Sequence, residues 1–150
     1  MSMLPRTFSY AWLPCRYNAG YTVPITNQTG TSGYITSPNY PNNYTSWDLH
    51  EYYITAPSTY NTIVLTINHF ELEEFSDNVI VYKGPTMNDD DYLYSWTGKM
   101  TVQNVTIQSN AVTLRFYNFL ALFVSSHQGF NISWTAIYNP PEEKSDNSIG

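Results

Sequence analysis

A chain of 150 residues can form one domain with a sizeable apolar core, because a domain of this size buries roughly 70% of its unfolded-chain surface. Its net charge of −6 and six scattered basic residues (Arg6, Arg16, Lys83, Lys99, Arg115 and Lys144) exclude a nucleic-acid surface, which needs clustered cations to displace phosphate counterions. Charged residues make up only 12% of the chain, and 14 Tyr, 7 Phe and 4 Trp carry much of its apolar mass, a composition that suits strands better than helices.

Residues 1–26 have weak periodicity and read as a poorly ordered lead-in or covering segment. Met1 to Cys15 lacks the sustained apolar stretch and small-residue cleavage site of a complete secretory leader, so the leader is expected to have been removed or the chain to be part of a longer protein. Cys15 is the single cysteine and cannot staple the domain internally. No apolar run reaches the ~20 residues of a membrane-spanning helix, and no transmembrane segment is expected.

From residue 27 to residue 138 the chain is a series of short alternating runs separated by turn residues. Gly33-Tyr34-Ile35 runs into Ser37-Pro38-Asn39-Tyr40-Pro41. The two prolines end the strand and hold an extended crossing, over which Tyr40 and Tyr44 can lay their rings. Ile63, Leu65 and Ile67 share one face, with Thr62, Thr66 and Asn68 opposite. Val79 and Val81 precede a turn at Lys83-Gly84-Pro85, and Val105 and Ile107 precede one at Ser109-Asn110. Val112, Leu114 and Phe116 then face in, with Thr113 and Arg115 out. Phe130, Ile132, Trp134, Ala136 and Tyr138 form a last inward series. Period two with frequent turns and no sustained 3.6-residue period predicts an all-β antiparallel sandwich. Residues 139–150, opening on Asn139-Pro140-Pro141, read as a polar tail or linker.

In order, these pieces resemble the CUB domain family. The carriers are Gly33 to Tyr44 with its Ser-Pro-Asn-Tyr-Pro core, Tyr52-x-Ile54-x-Ala56-Pro57, and Ile63 to Glu73. Asp77-x-Val79-x-Val81-Tyr82-x-Gly84, Ser109-Asn110 into Leu114-Arg115-Phe116, and Gly129-Phe130 complete the order, so the resemblance covers about residues 30–138. It implies a jelly-roll-like antiparallel β-sandwich that works as a non-catalytic extracellular module in a larger secreted or cell-surface protein, recognising a protein or peptide ligand. The family usually carries four cysteines in two bridges. Three of those positions fall near His50, Glu74 and Thr97, leaving Cys15 as the only candidate survivor.

The resemblance also implies a calcium site built from a Glu and two Asp residues. Glu73 and Asp77 match the first two positions, and the third falls at or near Phe119. No acidic residue lies between Tyr92 and Pro141 to replace it, and Ca²⁺ affinity depends on charged ligands. Glu73 and Asp77 are therefore either a degenerate calcium site, completed by Asn118 and carbonyls, or part of a solvated acidic loop. No retained cofactor is expected.

In place of the missing acid stands the apolar run Phe119-Leu120-Ala121-Leu122-Phe123-Val124. Six apolar residues cannot all follow strand alternation to one side. Either the run is a strand covered by the lead-in, or Phe119, Leu120, Leu122 and Phe123 form an exposed tip that contacts a partner. Asp89-Asp90-Asp91 lacks the ligand spacing and glycine of an EF-hand and reads as a solvated turn. Four glycosylation sequons begin at Asn27, Asn43, Asn104 and Asn131, the last two on outward strand positions.

His50, His69 and His127 form no zinc motif, and there is no phosphate-binding glycine loop or nucleophile elbow. Glu71, Glu73 and Asp77 sit on one short loop, whereas a glycosidase needs carboxyls flanking a cleft. An enzyme is not expected. The alternative to a protein binder is a carbohydrate-binding sandwich that stacks sugars on Trp47 and Trp96, both in predicted loops, with Trp134 in the core.

Overall fold

The inward and outward sides of an alternating run acquire meaning only when several runs pair over a common interior. The computed structural model describes residues 22–45, 49–118 and 126–143. Among them the strands are β1 (Ile25–Thr29), β2 (Ser32–Thr36), β3 (Leu49–Thr55), β4 (Thr62–Glu71) and β5 (Asn78–Lys83). After a 3-10 turn at Asp89–Asp91 come β6 (Tyr92–Trp96), β7 (Lys99–Met100), β8 (Gln103–Ile107), β9 (Ala111–Tyr117) and β10 (Gly129–Ile137).

The strands form two five-stranded sheets packed as a jelly-roll-like sandwich. One has the order β1-β3-β9-β5-β6; the other runs β2-β10-β4, with β7 and β8 both pairing β4. The pairing is antiparallel throughout except between β1 and β3, which are parallel. The alternating runs supply the interior. Ile63, Leu65, Ile67, Val79, Val81, Val112, Leu114 and Phe116 are all completely buried, each such side chain contributing about 1.5–3 kcal/mol. Phe130 forms the aromatic centre, stacked with Phe70 at 6.1 Å and edge-to-face with Phe116 at 5.5 Å and Tyr52 at 5.8 Å.

The chain passes from one sheet to the other in two residues at both sides of the sandwich. Gly30-Thr31 joins β1 to β2, and Thr97-Gly98 joins β6 to β7. Both corners use a glycine with positive φ (+124° at Gly30, +69° at Gly98), which L side chains rarely adopt. Each corner is tied to the strands: Gly30 N–H donates to Thr55 O at 3.2 Å, and Leu72 N–H donates to Gly98 O at 2.8 Å.

Several expectations need correction. The inward series of β10 stops at Ala136; Tyr138 lies past the strand end, 53% exposed and edge-to-face with Tyr60. The first strand begins at Ile25, inside the segment read as lead-in. It was hidden because Ile25, its one apolar residue, faces water, while polar Gln28 accepts a hydrogen bond from the Trp134 indole. Thr113 keeps its outward parity yet is fully buried; it stands between Tyr53 and Tyr82 across the sheet, and its hydroxyl donates to Gly84 O at 2.8 Å. Thr62 is likewise buried despite its outward assignment, its hydroxyl within hydrogen-bonding reach of Asn61, Gln108 and Asn139.

Candidate functional site

The loop from Leu72 to Asp77 connects β4 to β5 at one end of the sandwich. Strand register places the end of β9 beside it, since Asn78 pairs with Tyr117. The residue that organises this end is Tyr44, fully buried with its ring edge-to-face on Phe116 at 5.4 Å. Its hydroxyl donates to Asp77 Oδ2 at 2.6 Å and accepts from the Glu73 N–H at 3.0 Å. Ser76 Oγ donates to Asp77 Oδ1 at 3.0 Å, and the Asp77 N–H donates to Glu73 O at 3.2 Å. Thr97 Oγ1 donates to Asp77 O at 2.6 Å, and the Asn118 amide donates to Thr45 O.

Asp77 is 3% exposed and serves the loop as an internal acceptor. Glu73 is the opposite, about half exposed, with Oε2 at 3.3 Å from His127 Nδ1. Tyr117 lies half-buried at the same end. Burial pushes its phenol above the ordinary range; a hydrogen bond with Asn78 works against this, and the nearby charge of Asp77 reinforces it.

The structure thus brings Glu73 and Asp77 together through Tyr44, but not as a pair of open ligands. Ca²⁺ takes six to eight oxygens, several of them charged. Here both Asp77 oxygens accept hydroxyl hydrogen bonds, and Glu73 faces an imidazole. Among the described residues no group of three or more His, Cys, Asp or Glu is placed to hold a metal ion. Asp77 thus already serves the loop as an acceptor, and Glu73 is the more open of the two carboxylates.

Polar ties stand at positions where the family resemblance implies cysteines. Thr97 reaches the carbonyls of Asp77 and, at 3.4 Å, Glu73. His50 Nε2 lies 2.8 Å from Thr26 Oγ1, linking β3 to β1, and its ring stacks on Tyr52 at 4.5 Å.

Trp96 does not occupy a loop. It ends β6 with 8% exposure, edge-to-face with Phe70 at 6.3 Å and stacked beneath Tyr94 at 5.7 Å. Its inward position follows from pairing with buried Val79, so its ring offers no open face to a sugar. Trp47, Phe119, Leu120, Leu122 and Phe123 lie outside the described residues. Asn27, Asn43 and Asn104 are exposed and Asn131 is half-buried.

Sequence reasoning missed Phe75. It is 89% exposed at the crown of the Leu72–Asp77 loop, with φ +71°, a conformation that bulky residues rarely adopt. The available signal was a single aromatic inside an acidic stretch, out of step with inward-facing Phe70 and Leu72.

Comparisons with known proteins agree with this architecture. Human neuropilin-1 is 30% identical over 114 residues, which are 73% of this chain and 12% of neuropilin-1. The full extracellular region of zebrafish Gpr126/Adgrg6 matches with a TM-score of 0.64 and 25% identity, over 79% of this chain and 15% of that one. The MASP-1 CUB2 domain bound to Ca²⁺ matches with a TM-score of 0.60 and 21% identity, over 74% of this chain and 97% of that domain, a likeness of fold alone. The chain spans a small fraction of neuropilin-1, and no helix among the described residues is long and apolar enough to cross a membrane. The family model described as CUB domain matches residues 25–134, from the start of β1 to the middle of β10, and the chain belongs to that family.

Proposed function

We propose that this domain is a non-catalytic extracellular binding module, part of a larger secreted or cell-surface protein, that recognises a protein or peptide ligand at the Leu72–Asp77 end of the sandwich. The observation that carries the reading is Phe75, a large apolar side chain held in water by a loop in which Leu72, Glu73, Ser76 and Asp77 are all hydrogen-bonded. Burying such a ring in a partner's pocket is worth about 1.5–3 kcal/mol, enough to act as an anchor. In sequence the apolar run from Phe119 directly follows Asn118, which lies just past the end of β9 at this same end of the sandwich. Its part in binding rests on its sequence and on that point of departure.

The test is a screen of the secreted domain against a library of extracellular proteins, followed by affinity measurement on Phe75→Asn. Asparagine tolerates positive φ, so the loop keeps its shape while the ring is lost. The expected result is an affinity at least tenfold weaker with an unchanged or raised melting temperature. Leu120→Ser with Phe123→Ser should also weaken binding without unfolding the domain. A ligand bound equally well by all these variants would refute the placement.

A further inference from the structure

The strands of the β2-β10-β4-β8 stretch present a face unlike the rest of this acidic molecule. Over residues 32–36, 62–68, 103–107 and 131–137 there is not one Asp, Glu, Lys or Arg. The outward positions are mostly hydroxyls and amides. One row runs straight across the sheet through Tyr34, Ser133, Thr66 and Asn104, and Asn131 stands two residues along β10 from Ser133. An uncharged face ending in an edge strand invites pairing with another chain, a hazard that natural sheets usually counter with charge. β8, which pairs β4, has no charged residue to do so.

Asn104 and Asn131 both open glycosylation sequons, completed by Thr106 and Ser133. We infer that both carry N-linked oligosaccharides, and that the outer face of this sheet is a glycan-covered face which no protein partner occupies. Asn104 is exposed on β8, so a bulky sugar there also blocks edge pairing. The Oδ1 of Asn131 accepts from Asn68 Nδ2 at 3.2 Å, which leaves its own Nδ2, the atom that takes the sugar, turned away from that neighbour. Neighbouring strands are about 4.8 Å apart, so the two attachment points sit on the order of 12 Å from each other and their sugars overlie the width of the face. The modification is a group transfer by the secretory pathway's oligosaccharyl transferase from a lipid-diphosphate-linked oligosaccharide. Asn Nδ2 bonds to C1 of the sugar, the C1–O bond to diphosphate breaks with its electron pair leaving on the lipid diphosphate, and Nδ2 gives up one proton. The inference rests on the extracellular reading proposed above, because the transferase acts only on exported chains.

The experiment is site-by-site mass mapping of the full chain, secreted from eukaryotic cells behind a secretion leader. The expected result is sugar on both Asn104 and Asn131, with Thr106→Val and Ser133→Ala each removing one site. Enzymatic removal of the sugars should shift the protein toward larger species in sedimentation. Export with sugar on fewer than both of these sites, for example on Asn27 or Asn43 alone, overturns the covered face while leaving the extracellular reading intact. Retention inside the cell with all four sequons bare overturns both.

Discussion

Replacing Tyr44 with Phe removes one oxygen from a ring that is otherwise fully packed, and so isolates what the hydroxyl does. That oxygen donates to Asp77, 3% exposed, and accepts from the Glu73 N–H. A hydrogen bond to a charged group is worth about 1.5–3 kcal/mol, and loss of the acceptor for a backbone N–H adds roughly 1 kcal/mol. The expected loss is about 2–4 kcal/mol, read as a lowered urea midpoint at unchanged slope. For a domain of this size it corresponds to a fall in melting temperature on the order of 10 °C. Because both groups act through one contact, a double-mutant cycle with Asp77→Asn should return a coupling of about 1 kcal/mol or more. A loss under about 0.5 kcal/mol, or additivity of the two substitutions, would show that the Leu72–Asp77 loop does not depend on this hydroxyl.

Two further outcomes follow from the same end of the molecule. Addition of about 1 mM calcium, the strength at which weak extracellular sites fill, should leave the melting temperature unchanged; a saturable rise would show that the ion binds the native state and would overturn the reading of Glu73 and Asp77. The second concerns alkaline pH. Burial raises the Tyr117 phenol above its ordinary value of about 10, so above that pH the unfolded chain loses this proton first and stability falls until the folded phenol ionises too. Tyr117→Phe should therefore flatten the decline in melting temperature above about pH 10; an identical decline in both proteins would refute it.

The fold was legible because most of its core strands obey alternation. Ile63, Leu65 and Ile67, or Val112, Leu114 and Phe116, could be assigned from spacing alone, and all are completely buried. β1 was not legible, since an edge strand held by backbone pairing and by Gln28 carries no apolar period. Trp96 was misplaced because a tryptophan between Ser95 and Thr97 looks like loop material until pairing with Val79 turns it inward. At the candidate site the acidic pair was visible, but its character was not. Whether Asp77 offers its oxygens to a cation or spends them on Tyr44 and Ser76 depends on a tyrosine 33 positions earlier in the chain, a relation that local spacing does not encode. Phe75 escaped for the converse reason: its exposure is a property of a turn with positive φ.

The two glycine corners have a consequence for the molecule's colloidal behaviour. A chain with 14 Tyr and only 12% charged residues has the composition that cross-β fibrils favour, and the five-residue outer strands β1 and β6 would be the natural templates for their growth. Gly30-Thr31 and Thr97-Gly98 hand each of these strands to the opposite layer after a single short pass. An incoming strand thus finds at β1 and β6 an edge too brief to extend and bent away at its end, a restraint on strand addition that the two glycine corners supply.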